Sequence, residues 1–143
     1  MKRPSAVSLN SLNTMQATRG SGTGPELALR SALRAAGLRG YRVNMKGVSG
    51  RPDVAFIRAK LAVFVHGCFW HRCPSCKPRP PMRNEAFWRA KFEANVERDE
   101  RTRDRLEREG WSVLEFWECE IERSAVRCAV RVQRWMADWH ESA

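Results

Sequence analysis

The 143-residue sequence lacks the segments that direct a protein into or across a membrane. No apolar run is long enough to span a bilayer, and no signal-peptide-like apolar region precedes the cysteines. An even set of cysteines is also missing, since there are five: Cys68, Cys73, Cys76, Cys119 and Cys128. These absences argue against a disulfide framework. We therefore expect a cytosolic protein, in which clustered thiols favour metal or redox chemistry.

Acidic residues are too few to balance the basic ones. The 26 Lys and Arg against 16 Asp and Glu give a formal net charge of +10 at pH 7. Such a charge favours a polyanionic partner, because binding releases counterions, although a basic surface can also serve solubility alone. The length fits one domain with its own core. The composition therefore favours nucleic acid as the partner without deciding the matter.

The hydrophobic pattern predicts an α/β fold. Residues 1–22 are rich in Ser, Thr, Asn and Gly, which is typical of a flexible arm, and residues 23–143 are expected to form the domain. Helices are predicted over 23–37, 84–109 and 122–139, and strands over 41–45, 53–57, 61–66 and 112–117. This order predicts a mixed sheet flanked by helices, with antiparallel pairing of the second and third strands. The residues predicted to face inward are Leu29, Leu33, Ala36, Val126, Val130 and Trp135.

The densest chemistry lies between Val63 and Cys76. An apolar run that is typical of a buried strand ends at His66, and two large aromatic residues, Phe69 and Trp70, follow. Cys68, Cys73 and Cys76 fall within nine positions of the same segment. A strand that served only the core would not need this combination.

With Gly50-Arg51-Pro52-Asp53 upstream and Trp117-Glu118-Cys119 downstream, the segment resembles the very short patch repair (Vsr) DNA mismatch endonucleases. The resemblance runs from about Leu12 to Cys119. It implies a restriction-endonuclease-like core and a Mg²⁺-dependent, strand-specific endonuclease. Such an enzyme nicks on the 5′ side of the thymine in T·G mismatches left by deamination of 5-methylcytosine. The resemblance leaves a mismatch-repair protein open as a partner, and we expect a monomer.

Asp53 begins a predicted strand after Pro52, where a rigid carboxylate can hold Mg²⁺, although a Pro-Asp pair is also a common turn signal. Many nucleases of this fold carry Asp/Glu-x-Lys on the next strand, but Phe64-Val65-His66 contains neither a carboxylate nor a lysine. The resemblance implies that His66 occupies that place and that His71 is a second active-site histidine.

Phosphodiester hydrolysis must activate a water and stabilise charge on the phosphate, and imidazole can do either near neutral pH. By resemblance, Asp53 and the Val65 backbone carbonyl bind Mg²⁺, His71 activates or orients the water, and His66 contacts the phosphate. The division of roles between the two histidines is left open, and either could be structural. His140 is expected to be structural.

Glu26 has two interpretations. Thr23-Gly24-Pro25-Glu26 has the form of a helix capping box, in which Glu26 would cap the first helix. The resemblance aligns Glu26 with an acidic residue that acts in the active site through water or metal. Both interpretations stay open.

Cys68, Cys73, Cys76 and Cys119 can supply four thiolates to a structural, tetrahedral Zn²⁺. Many family members use a histidine among these ligands, and Cys73 replaces it here. The alternative is a redox Cys73-Pro-Ser-Cys76 pair, which would leave Cys68 unexplained. Cys128 is expected to be an apolar filler of the core.

Phe69, Trp70 and Trp88 are predicted to contact DNA by stacking on bases, with burial in the core as the alternative. Lys91 and Asn95 follow Trp88 at i+3 and i+7. By resemblance they read the T·G mismatch, since guanine O6 and N7 accept hydrogen bonds from Lys. Arg98 and Asp99 extend the family pattern along this helix. Met15, in an arm that would clamp DNA, is also assigned to DNA contact.

Two other functions stay open. A nuclease of the same fold with another DNA specificity would keep Asp53, His66 and His71 and change the residues around Lys91 and Asn95. A non-catalytic, zinc-containing DNA-binding protein would have no reason to keep all three of the proposed catalytic residues.

Overall fold

The computed structural model describes residues 24–142 and contains helices and strands in the predicted order, with one short helix added. The helices are α1 (Gly24–Ala35), α2 (Cys68–His71), α3 (Glu85–Arg108) and α4 (Glu118–Ser142). The strands are β1 (Arg42–Val43), β2 (Val54–Phe56), β3 (Leu61–His66) and β4 (Ser112–Trp117). The short helix α2 is the element that the hydrophobic pattern did not predict.

The four strands form one mixed sheet in the order β1-β2-β3-β4. β1 pairs antiparallel with β2. β2 pairs antiparallel with β3, as the short connection after Phe56 predicted, and Val54 lies opposite Val63. β3 and β4 pair in parallel, with His66 opposite Trp117. A parallel pair requires a crossover, which the segment carrying α2 and α3 provides.

The alternation along β3 distributes its side chains between two cores. Leu61 and Val63 pack in the larger core, to which α1 and α4 contribute, while Ala62 packs with Leu106 of α3 in the smaller core. His66 has the same parity as Ala62, so it lies on the α3 side of the sheet. The predicted mixed sheet flanked by helices is therefore confirmed. It places α3 on the same side of the sheet as His66, at the end of β3.

The prediction that Val126 faces inward is wrong, because its side chain is 67% exposed. Ser124 has a non-helical backbone (φ −165°, ψ 99°) and interrupts α4, and its Oγ accepts a hydrogen bond from the Arg127 N–H at 3.2 Å. Val126 lies two positions before the buried Cys128, about 200° around the helix, and so faces away from the core. Val130 is only partly buried, whereas Trp135 packs against the core as predicted. The buried residues of α4 are Ile121, Cys128, Ala129 and Val132.

Several predictions concern residues outside the described part of the chain. They are the N-terminal arm, the DNA contact of Met15 and the capping role of Thr23. None of the helices within residues 24–142 has the length and apolar character that crossing a bilayer requires.

Gly50, just before Arg51-Pro52-Asp53, should tolerate no side chain. Its φ is +76°, and an added Cβ would overlap the Cγ2 methyl of Thr102 on α3. We expect Gly50→Ala to lower the free energy of unfolding by about 2–4 kcal/mol, from left-handed strain and overpacking together. Gly37 is the control, because its φ is +87° but the space around it is open. Gly37→Ala should cost only about 1 kcal/mol. Equal losses in urea denaturation would contradict the close packing at Gly50.

Candidate active site

Two acidic side chains lie close together at the start of β2. Because Val54 pairs with Val63, Asp53 lies beside the end of β3, and its Oδ2 accepts a hydrogen bond from the Val65 N–H at 2.6 Å. Glu26 of α1 is buried and accepts a hydrogen bond from Arg30 at 3.2 Å. Burial raises the pKa of Asp53 to about 7, and the charge of Glu26 contributes to the rise. A divalent cation bound between two such carboxylates would stabilise their ionised forms.

His66 and His71 meet although five positions separate them. His66 ends β3 and His71 ends α2, and their ring centroids are 4.5 Å apart. The Nδ1 atom of His71 lies 2.5 Å from Oδ2 of Asp99 on α3. The charge of His66 partly offsets the rise in the pKa of Asp53. The structure therefore brings Asp53, His66 and His71 to one end of the sheet.

A second carboxylate meets His66 from the neighbouring strand. The Nε2 atom of His66 lies 2.9 Å from Oε2 of Glu115 on β4. Oε1 of Glu115 in turn accepts a hydrogen bond from Arg103 of α3 at 2.8 Å. Burial alone would raise the pKa of Glu115, but the hydrogen bond and charge of His66, with the charge of Arg103, lower it. Each of the two histidines thus has one ring nitrogen against a carboxylate.

Sequence reasoning missed Glu115 and Arg103, and it recorded Asp99 only as part of a family pattern. One signal was available in β4, where Glu115 alternates with Val113 and Trp117 on the face that meets α3. A carboxylate at such a position needs a partner. On α3, Asp99 and Arg103 are four residues apart and so share one side of the helix.

The four predicted zinc ligands form one cluster. His66 opposite Trp117 places Cys68 and Cys119, each two residues further on, side by side. The sulfur atoms of all four cysteines lie within 4.8 Å of one another, and those of Cys73 and Cys119 are 3.8 Å apart. A tetrahedral Zn²⁺ with Zn–S bonds of about 2.3 Å has S···S edges of about 3.8 Å. The described chain holds all five cysteines as free thiols, and the donor set fits zinc.

The backbone after Cys73 also favours a thiolate. Burial would raise the pKa of the Cys73 thiol, but the N–H groups of Cys76 and Ser75 point at its sulfur and lower it. The Cys119 N–H donates to Cys68 Sγ at 3.4 Å, but burial raises the pKa of the Cys68 and Cys119 thiols, so Cys73 is the one of these three that the protein itself favours as a thiolate. Cys128 lies apart from the cluster and is buried in the main core, as expected of an apolar filler.

The predicted DNA-contacting aromatics pack against one another. The ring centroids of Phe69 and Trp88 are 5.9 Å apart, and those of Trp70 and Trp88 are 6.0 Å apart. Trp70 is buried, while Phe69 and Trp88 are half-buried. The structure thus joins the three rings in one cluster, which also contains Phe92.

Lys91 and Asn95 are placed differently from each other. Lys91 is exposed, whereas Asn95 is buried and donates a hydrogen bond from Nδ2 to the Trp70 carbonyl at 3.1 Å. Arg98 donates to Asn95 Oδ1 at 3.1 Å. In this arrangement Asn95 fixes the backbone that carries Trp70, and Lys91 is the accessible member of the pair.

Comparisons with known proteins agree on one family. The family model described as DNA mismatch endonuclease Vsr matches residues 10–77. The chain is 44% identical over 132 residues to the type II nicking enzyme V.NaeI of Lentzea aerocolonigenes, which covers 89% of this chain and 78% of that one. It is 42% identical over 125 residues to V.NmeDIP of Neisseria meningitidis serogroup C, covering 87% and 84%. It is 39% identical over 99 residues to the DNA mismatch endonuclease Vsr of Escherichia coli (strain K12), covering 69% and 63%.

Proposed function

The chain belongs to the Vsr family of DNA mismatch endonucleases, and from this premise we propose that it is a Mg²⁺-dependent, strand-specific mismatch endonuclease. Membership of the family makes it a DNA endonuclease. The finer proposal is that it nicks on the 5′ side of the thymine in T·G mismatches that arise from deamination of 5-methylcytosine. The observation that supports catalysis most directly is the meeting of Asp53, His66 and His71 at one end of the sheet, with a carboxylate against each histidine.

Asp53 is the residue that we assign to Mg²⁺, together with the Val65 carbonyl and Glu26. Mg²⁺ prefers oxygen ligands, which this side of the site supplies. The group of His66, His71 and Asp99 contains two imidazoles and suits transition metals better. When bound, Mg²⁺ would stabilise negative charge that develops on the phosphate during hydrolysis.

His71 is the residue that we assign to the attacking water. A carboxylate that accepts the Nδ1–H of an imidazole fixes the tautomer in which Nε2 carries the lone pair, and Asp99 is placed to do this. Nε2 of His71 can then accept a proton from water as the general base. His66 is left to contact the phosphate.

For the four cysteines we propose a structural Zn²⁺, in a cytosol that keeps them reduced. The redox alternative has less support, because Cys73 lies 3.8 Å from Cys119 within a four-sulfur cluster rather than in an isolated pair with Cys76. Four thiolates would leave Zn²⁺ no open coordination position for a substrate. The role of the site would therefore be to join α2 to the start of α4.

A second specificity is favoured by one observation. Several relatives, including V.NaeI and V.NmeDIP, are named as type II nicking enzymes, and the relative named as a mismatch endonuclease matches over a smaller share of the chain. Nicking of DNA without a T·G mismatch is therefore the alternative. A non-catalytic DNA-binding role has no comparable support.

A nicking assay tests the proposed activity. Duplexes with one T·G mismatch, labelled on either strand, would be incubated with the protein in Mg²⁺ or in Mg²⁺ with excess EDTA. We expect a single cut in the thymine strand with Mg²⁺ and no cut with EDTA. Cutting of both strands would contradict strand specificity, and undiminished cutting in EDTA would contradict the metal requirement.

We propose that the aromatic cluster of Phe69, Trp70 and Trp88 acts as a wedge that opens the duplex at the mismatch, and that Lys91 reads the exposed guanine edge. We expect Lys91→Ala to reduce the preference for T·G over T·A duplex by about 1–3 kcal/mol, the usual worth of a base contact. The matched control is Arg89→Ala, which also removes an exposed positive charge from α3. The control should weaken binding to both duplexes equally. Binding titrations at fixed salt give the comparison, and an equal loss for Lys91→Ala would make Lys91 a phosphate contact.

A further inference from the structure

Glu115 joins three elements of the active site through one carboxylate. It lies in the middle of β4 between Leu114 and Phe116, and its two oxygens have different partners. One contacts His66 Nε2 at 2.9 Å, and the other accepts from Arg103 Nη2 at 2.8 Å. Neither Glu115 nor Arg103 belongs to the motifs that identified the family.

The packing around His66 restricts its ring to few orientations. The ring of Phe64 stacks nearly parallel to it, with a centroid distance of 6.1 Å and an interplanar angle of 12°. The rings of Trp117 and His71 lie at 5.2 Å and 4.5 Å. Such packing fixes the plane of the imidazole ring, but it leaves two orientations that differ by a rotation of about 180° about χ2. The two orientations exchange the positions of ring nitrogen and ring carbon atoms. A specific hydrogen bond must choose between the two edges.

We propose that Glu115, held in place by Arg103, is a positioning residue that selects the edge and the tautomer of His66 for catalysis. The inference rests on the proposed endonuclease function. With Nε2–H donated to Glu115, the Nδ1 atom of His66 faces away from β4, and its lone pair can accept a hydrogen bond from a water molecule that bridges His66 to the DNA phosphate. His71 is held by the opposite nitrogen, because its Nδ1 meets Asp99. The two histidines therefore present different ring nitrogens to the substrate.

Arg103 gives this contact a second anchor. Glu115 is fixed by its backbone in the parallel ladder with β3, where it pairs with Phe64, and Arg103 fixes its side chain from α3. The same helix carries Asp99, which holds His71. One helix thus supports both histidines, each through a carboxylate. A purely structural role, in which the ion pair only attaches α3 to the sheet, is the alternative to separate.

Double-variant kinetics separate the two roles. We expect Glu115→Leu to slow single-turnover nicking about 10–100-fold, the usual loss when a carboxylate that orients a histidine is removed. Duplex affinity should be unchanged. Glu115→Gln, which keeps an oxygen to accept the Nε2–H, should recover most of the rate. In a His66→Ala background, Glu115→Leu should cause no further loss, because a residue that acts through His66 has nothing left to position.

The control for Arg103→Ala is Arg101→Ala, an exposed arginine two residues earlier on α3. Arg103→Ala should slow nicking in the His66 protein and not in the His66→Ala protein, and Arg101→Ala should change the chemical step in neither. If Glu115→Leu slows the residual rate of His66→Ala as much as that of the wild type, the proposal is overturned in favour of a structural role.

A spectroscopic readout requires neither DNA nor activity. Nitrogen-15 NMR of the imidazole rings in the wild-type protein should show that neutral His66 carries its proton on Nε2, and Glu115→Leu should remove this preference. A proton on Nδ1 in the wild type overturns the proposal even where a variant fails to fold. A wild-type protein that nicks no T·G duplex would instead overturn the proposed function and leave the tautomer result standing.

Discussion

Asp53→Asn is expected to slow Mg²⁺-dependent nicking of a T·G duplex by about 1,000-fold or more, equivalent to about 4 kcal/mol of transition-state stabilisation. The amide keeps an oxygen that can accept the Val65 N–H but removes the negative charge proposed to hold Mg²⁺. Duplex binding should persist, because we assign it to the basic surface and the aromatic cluster rather than to Asp53. The control is Asp104→Asn, which removes an exposed carboxylate from α3 and should nick normally.

The same substitution should stabilise the protein when Mg²⁺ is absent. Burial raises the pKa of Asp53 from 3.8 to about 7, so the folded state holds a proton that the unfolded state has lost between these values. Stability attributable to Asp53 is therefore present below about pH 4 and decreases as the pH rises towards 7. Asp53→Asn should remove this loss and raise the free energy of unfolding at pH 8 by an amount on the order of 1–4 kcal/mol, with little effect at pH 4. Near-normal nicking by Asp53→Asn would remove Asp53 from the mechanism. Unchanged stability at pH 8 would contradict the raised pKa of Asp53.

Cys119→Ser should have the largest effect on folding. Structural zinc sites of four thiolates contribute roughly 10 kcal/mol or more to small domains, because the ligands come together only in the folded chain. Elemental analysis should find one zinc per wild-type chain, and Cys119→Ser should lose the metal and unfold or aggregate.

Cys128→Ala is the matched control for the zinc prediction, because it removes a thiol that is buried in the core outside the cluster. It should keep the metal and lose only about 1–2 kcal/mol of stability. A metal-free wild-type protein that folds and forms a reversible Cys73–Cys76 disulfide would support the redox alternative.

Local patterns predicted most of the fold. The apolar run of β3 and the short connection after β2 were enough to predict their antiparallel pairing, which the structure contains. The burial of Val126 was predicted wrongly because apolar residues occur on more than one face of α4, and Val126 lies about 200° around the helix from the buried Cys128. The non-helical backbone at Ser124 was not predicted either, because a serine hydroxyl can equally face solvent within a helix.

Some residues of the candidate site could be predicted from the sequence and others could not. Asp53, His66 and His71 could be proposed because they lie in the segments that carry the resemblance to the Vsr family, which implies their roles. The alternation in β4 could have marked Glu115 as a residue that needs a partner, but its contacts with His66 and Arg103 could not be predicted, because they depend on the parallel pairing of β3 with β4 and on the placement of α3 across the sheet. Such long-range geometry leaves no spacing rule in the sequence.

Relative cutting rates on matched and mismatched DNA test the central claim most directly. The wild-type protein would be given four otherwise identical duplexes that carry T·G, T·A, C·G or C·A at one position, with Mg²⁺ and single-turnover conditions. We predict that the thymine strand of the T·G duplex is cut on the 5′ side of the thymine about 100-fold faster than that of the T·A duplex, a difference of about 2.7 kcal/mol that lies within the worth of one good base contact. Cutting of all four duplexes at similar rates would show a nicking endonuclease of another specificity and contradict the proposed mismatch function.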